Sequence, residues 1–128
     1  MPVYTAPQSQ TAAYRQQSVL TATPGQLVVM LYDGALRFLH QAAYAMREGN
    51  VAVSGNRLQR AEAILEELLS TLDLEKGGVV ASRLQGIYVF CQRHLMEARL
   101  EREPEMIDKV SELLGELRES WAQVAATA

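Results

Sequence analysis

A chain of 128 residues with 48% hydrophobic side chains has the size of one domain, and it can bury about two-thirds of its unfolded surface without disulfide or metal staples. Its net charge of −3 lacks the basic surplus of a nucleic-acid binder, and its lone Cys91 excludes an intrachain disulfide and fits a reducing compartment. No apolar run approaches the ~18 residues of a membrane span, and residues 1–18 show neither the basic start nor the apolar stretch of a secretory signal, so the chain reads as cytoplasmic with no membrane insertion.

Residues 1–22 are rich in Gln, Thr, Ser and Ala, with prolines at 2 and 7 and one charge, Arg15. They read as an N-terminal arm, partly disordered, with one short helical turn or cap helix around residues 12–19. Its apolar side chains Tyr14, Val19 and Leu20 stand just before a helix and are expected to dock on the bundle.

Thr23-Pro24-Gly25-Gln26 is a helix start. Thr23 suits the N-cap, Pro24 the first helical position, and Gln26 the third position of a capping box. A first helix is expected over 24–48, stopped by Gly49-Asn50. At about 100° per residue its polar side chains, Gln26, Asp33, Arg37, His40, Gln41, Arg47 and Glu48, share an arc of roughly 120°. The other two-thirds is apolar, whereas a helix facing one core needs a stripe only slightly wider than about 100°.

A second helix is expected over 52–73, with Leu58, Ala61, Leu65, Leu68 and Leu72 spaced three or four apart; Ser54-Gly55-Asn56 weakens its first turns. Lys76-Gly77-Gly78 reads as a break. A third helix, 78–102, turns Val80, Leu84, Ile87, Cys91, Leu95 and Ala98 inward. A fourth, 104–125, opens on Pro104 and turns Ile107, Val110, Leu114, Leu117, Trp121 and Val124 inward. No segment alternates with period two, so no strand is expected. Four helices on short loops make an all-α, antiparallel up-down-up-down four-helix bundle over 23–128, with knobs-into-holes packing.

The pattern offers little to catalysis, and the chain reads as no enzyme, with no cofactor and no metal. Di-metal bundles use Glu-x-x-His pairs, which do not occur here. Cys91 and His94 are one turn apart, but zinc needs three or four ligands and His40 lies in the polar arc. There is no phosphate loop, no nucleophile elbow, and no Arg placed five to seven residues before either histidine. The acidic side chains, among them Glu62, Glu66 and Asp108, fall on outer faces.

What remains is surface. One flank of the first helix, through Leu27, Leu31, Gly34, Ala35, Phe38 and Ala42, can be bundle core. The second, through Val28, Tyr32, Leu36, Leu39 and Ala43, needs a cover. Either the second and fourth helices take one flank each, or a groove remains, shielded by the arm and usable by a partner helix. A self-associating structural or adaptor bundle would pair two copies through the same surplus.

Residues 13–27, Ala-Tyr-Arg-Gln-Gln-Ser-Val-Leu-Thr-Ala-Thr-Pro-Gly-Gln-Leu, followed by Met30-Leu31-Tyr32-Asp33-Gly34-Ala35, resemble the signature of the flagellin export chaperone family FliS. Leu84, Ile87-Tyr88, Phe90, Arg93, Leu95 and Glu97-Ala98 are similar to its third helix, and Leu117-Arg118 with Ser120-Trp121 to its closing helix. Thr23 replaces the usual Ser and Gln26 the usual Glu, which keeps the capping chemistry; Arg99 stands where Asn is frequent. The resemblance implies a cytosolic antiparallel bundle that binds the disordered C-terminal region of flagellin, blocks premature filament assembly and keeps the subunit export-competent. It implies the flagellar export gate and co-chaperones as further partners, and the chain is expected to be a monomer or weak dimer. The client-binding groove is expected at Val28, Tyr32, Leu36, Leu39 and Tyr88, with Tyr14, Val19 and Leu20 as its cap.

Overall fold

The computed structural model describes residues 21–127, so the arm positions Tyr14, Val19 and Leu20 lie outside the described residues. Four helices succeed one another: α1 (Pro24–Arg47), α2 (Val51–Ser70), α3 (Leu74–Glu101) and α4 (Pro104–Thr127). Short connections turn each helix back on the last, which gives an antiparallel bundle; no strand occurs among the described residues.

Local chemistry sets the ends. The Thr23 backbone N–H donates to Gln26 Oε1 at 2.9 Å, and the Gln26 N–H donates to Thr23 Oγ1 at 3.2 Å, closing the capping box. Gly49, at φ 76°, makes the turn into α2, where Asn50 Oδ1 accepts from the Val53 N–H at 3.1 Å. That cap starts α2 at Val51 despite Gly55, and α2 stops at Ser70, leaving Leu72 beyond its end. Asp73 Oδ1 accepts from the N–H groups of Glu75 and Lys76, so α3 opens before the two glycines rather than after them. The break expected at Lys76-Gly77-Gly78 is a kink within α3. Gly78 sits at φ 54°, ψ −129°, where an L side chain is strained, and a Cβ on Gly77 would come within 2.5 Å of the Ala81 Cβ.

The core is a column of Tyr32, Leu39 and Ala42 from α1, Leu58, Leu65 and Leu68 from α2, Leu84, Tyr88 and Leu95 from α3, and Ile107, Val110 and Leu114 from α4. Each buried Leu or Ile contributes about 1.5–3 kcal/mol through area removed from water. α1 lies closest to its neighbours α2 and α4, whereas α3 stands further from both. The cause is side-chain volume. α1 meets its neighbours through Gly34, Ala35, Ala42, Ala43 and Ala45, and a Cβ on Gly34 would come within 3.2 Å of Ile64 on α2; α3 meets them through Leu84, Tyr88 and Leu95.

The periodicity misplaced two side chains. Val80 and Val124, expected inward, are 67% and 59% exposed. Both line the open cleft between α3 and α4 near the end of the bundle, where Val80 lies just past the kink at Gly78 and Val124 in the last turns of α4, while Ala81 takes the core position. Ion pairs tie the outside: Arg118 to Asp33 through two bonds of 2.8 and 3.3 Å, Arg99 to Glu62 at 2.9 Å, and Arg47 to Asp108. Exposed pairs of this kind contribute well under about 1 kcal/mol each.

Candidate functional site

The up-down topology brings the start of α1, the end of α2, the start of α3 and the end of α4 to one end of the bundle, and there the packing is open. A cavity of about 620 Å³ is lined by Pro24, Leu27, Val28, Met30 and Leu31 of α1, by Leu68, Thr71 and Leu72 at the end of α2, and by Tyr88 and Trp121, with Glu67 as its one charged neighbour. A second cleft of about 340 Å³ runs between α3 and α4 through Val80, Leu84, Leu117, Trp121 and Val124. Trp121 borders both. A third groove, about 470 Å³, lies between the first turns of α1 and the last turns of α4, over Gln26, Val29, Met30, Ala122, Ala125 and Ala126.

The openness has local causes. The capping box and Pro24 hold the first turns of α1 in helical form although little covers them, so Leu27 and Met30 stay about one-third exposed. α2 ends at Ser70, so only Leu72 and Thr71 reach the rim. Gly25 lies 3.4 Å, as a built Cβ, from the Ala125 Cβ, which lets α1 and α4 close tightly at that point.

Beside the cavity the Tyr32 and Tyr88 hydroxyls share a hydrogen bond of 2.5 Å across the bundle, their rings 6.3 Å apart and tilted by 54°. Burial pushes both phenols up from their ordinary value; for Tyr32 the bond to Tyr88 adds to the rise, while the Trp121 indole pulls the other way. The pair is therefore neutral, and the cavity wall carries no charge except Glu67. Such a surface receives apolar side chains with a few hydrogen-bonding groups.

Of the residues expected at a groove, Val28 lines the main cavity, and Tyr88 borders it while itself buried. Tyr32 and Leu39 are fully buried, and Leu36 packs partly buried against the core, away from the cavities described above. Over most of α1 the second flank is thus covered by the bundle itself, since the small residues of α1 let α2 and α4 take one side each. Only the first two turns keep surplus oily area. Sequence reasoning assigned Leu27, Leu31, Leu72 and Trp121 to the core; they line the cavity, and Trp121, the largest side chain of the α4 seam and near its end, was the available signal.

Reactive groups do not converge. Among the described residues no three of His, Cys, Asp and Glu come together as a metal site. Cys91 is buried and its thiol is pushed up to about 11 by burial, whereas His94 turns outward and stacks on Phe90 with centroids 5.1 Å apart. Within the described residues no helix is long and apolar enough to cross a membrane.

The family model described as Flagellar protein FliS matches residues 6–128. The chain is 37% identical over 131 residues to the Flagellar secretion chaperone FliS of Salmonella typhimurium, covering 98% of this chain and 96% of that one. It is 38% identical to the protein of the same description from Campylobacter jejuni, over 88% of each chain, and 36% identical to that of Vibrio cholerae, over 88% of this chain and 85% of the relative.

Proposed function

This chain belongs to the FliS family of flagellar secretion chaperones, and from that premise we propose that it holds the C-terminal region of flagellin in the cytoplasm, preventing premature polymerisation and keeping the subunit export-competent. The observation that carries this reading is the apolar cavity of about 620 Å³ at one end of the bundle, open through Leu27 and Met30. A disordered client that folds as it binds can offer a helix with apolar anchors at i, i+3, i+4 and i+7, and a trough between helices receives that pattern. Val28, Leu31 and Leu72 contact one anchor face. Trp121, shared with the cleft beside α3 and α4, lets the client continue from one trough to the next.

Each client Leu or Phe removed from water contributes about 1.5–3 kcal/mol. Ordering the client offsets about 2–5 kcal/mol of the gross interaction, which keeps release within reach of the export gate.

The test is calorimetric titration of a flagellin C-terminal peptide into the wild type, Leu27→Asp and Leu36→Asp. Leu27 is partly exposed in the helix's first turns, so its substitution leaves the fold intact; the Leu27→Asp chain is expected to bind at least about tenfold more weakly. Wild-type affinity in a folded Leu27→Asp chain removes this cavity from the site. Loss confined to Leu36→Asp moves the site to the α4 side of α1.

A further inference from the structure

Oily surface is left uncovered on α3 as well as on the first turns of α1. Among the described residues, six of the twelve large apolar side chains that remain exposed lie on α3, including Val79 at 66%, Phe90 at 48% and Leu100 at 76%. At about 100° per residue, Val79, Arg83, Gly86 and Glu97 all fall within roughly 40° of Phe90. This line points away from the core column of Leu84, Tyr88 and Leu95. At its centre the Phe90 ring is held against His94, and a Cβ on Gly86, one turn earlier, would meet nothing within 4 Å. A mid-helix glycine costs about 1 kcal/mol relative to Ala, so Gly86 leaves room beside Phe90 that the isolated chain does not fill.

The charges on this line state what fits it. Arg83 stands seven residues before Phe90 and Glu97 seven residues after, two turns or about 10.5 Å in either direction. Both are exposed, and neither joins an ion pair among the described residues. A second copy of the helix laid antiparallel, with the two-fold axis at Phe90, places Arg83 opposite the partner's Glu97, and by symmetry Glu97 opposite the partner's Arg83. The same operation brings Gly86 within about one turn of the partner's Phe90 ring. A parallel arrangement would instead set Arg83 against Arg83 and Glu97 against Glu97. Arg83 and Glu97 are thus complementary in the antiparallel orientation only.

We propose that the outer face of α3, centred on Phe90, is a homodimer surface in which two copies pack antiparallel with reciprocal Arg83–Glu97 pairs. One helix face on one helix face is below the area of a permanent dimer, so the association is expected to be weak and concentration-dependent. The surface stands apart from the cavity at Leu27, and the proposal is independent of what that cavity binds.

Sedimentation equilibrium from about 5 to about 300 µM tests it, on the full chain without client. Wild type is expected to dimerise. Arg83→Glu alone and Glu97→Arg alone are each expected to weaken dimerisation about tenfold or more, because both symmetry-related pairs become repulsive. An equimolar mixture of those two variants is expected to restore the dimer, since a chain acidic at both positions then faces a chain basic at both, and each of the two cross-chain pairs is again attractive. Phe90→Asp is expected to be monomeric with unchanged helicity. A wild type that stays monomeric throughout, a mixture that fails to associate, or a Phe90→Asp chain that still dimerises overturns the proposal. A monomeric wild type whose flagellin-peptide affinity falls on Phe90→Asp assigns the face to the client and overturns it equally.

Discussion

The hydroxyl pair in the middle of the bundle is the place where single and double substitutions should disagree most. Tyr32 is fully buried and Tyr88 1% exposed, and their hydroxyls bond at 2.5 Å. Removing one oxygen leaves the other without its hydroxyl partner and with the Trp121 indole as its remaining polar neighbour, at a cost of about 1–3 kcal/mol. The two ends differ. Tyr88 borders the 620 Å³ cavity, so its hydroxyl, when orphaned by Tyr32→Phe, can recover a water; about 1 kcal/mol is expected. Tyr32 does not line that cavity, so Tyr88→Phe should cost about 2–3 kcal/mol. The double Phe variant removes both polar groups while keeping both rings, and should cost at least about 1 kcal/mol less than the sum of the singles. Equilibrium urea unfolding measures all four chains. Additivity within about 0.5 kcal/mol, or a costlier Tyr32→Phe than Tyr88→Phe, would refute the argument. The pair also carries a pH signature. Both phenols are raised in the fold, so the unfolded chain gives up its phenolic protons first, and the stability they contribute is complete below the ordinary value of about 10 and lost as pH rises above it. Measured in a Cys91→Ala background, the wild-type pair should lose stability above about pH 10 more steeply than the double Phe chain.

Two further outcomes are expected from the packing. Cys91, fully buried with its thiol pushed up to about 11, should react with an aromatic disulfide reagent only through opening of the bundle, at a rate that rises with urea; fast stoichiometric labelling of the native chain would contradict its placement. The same thiol, raised from 9.0, contributes stability that is complete below about pH 9 and is lost as pH climbs toward 11, a loss that Cys91→Ala should remove. Gly78→Ala places a side chain at φ 54°, ψ −129°, and should lower stability by about 1–3 kcal/mol; an unchanged urea midpoint would show that the kink at the start of α3 is not required.

Local chemistry was readable in advance wherever the interacting residues are neighbours in the chain. Thr23 and Gln26 close their box within one turn, and the spacing of Leu58, Leu65 and Leu68 or of Ile107, Val110 and Leu114 is itself the core face. Four helices in antiparallel order come from such signals, because period, caps and short connections are properties of nearby residues. Even at this level two boundaries moved: the Asn50 cap carried α2 through Ser54 and Gly55, and Asp73 started α3 ahead of its glycines.

Which oily face stays open was decided by tertiary structure. The second flank of α1, including Tyr32 and Leu39, is covered because Gly34, Ala35 and Ala42 allow α2 and α4 to close on it; a wheel counts apolar area but not the distance to a neighbour. The cavity at Leu27, Leu72 and Trp121 exists only because four helix ends of unequal reach meet at one place, and the exposed line through Phe90 exists because α3, spaced by its own large side chains, has companions on one side alone. Periodicity states how much surface must be hidden; relative helix lengths and spacings, which no local segment encodes, state where the hiding fails.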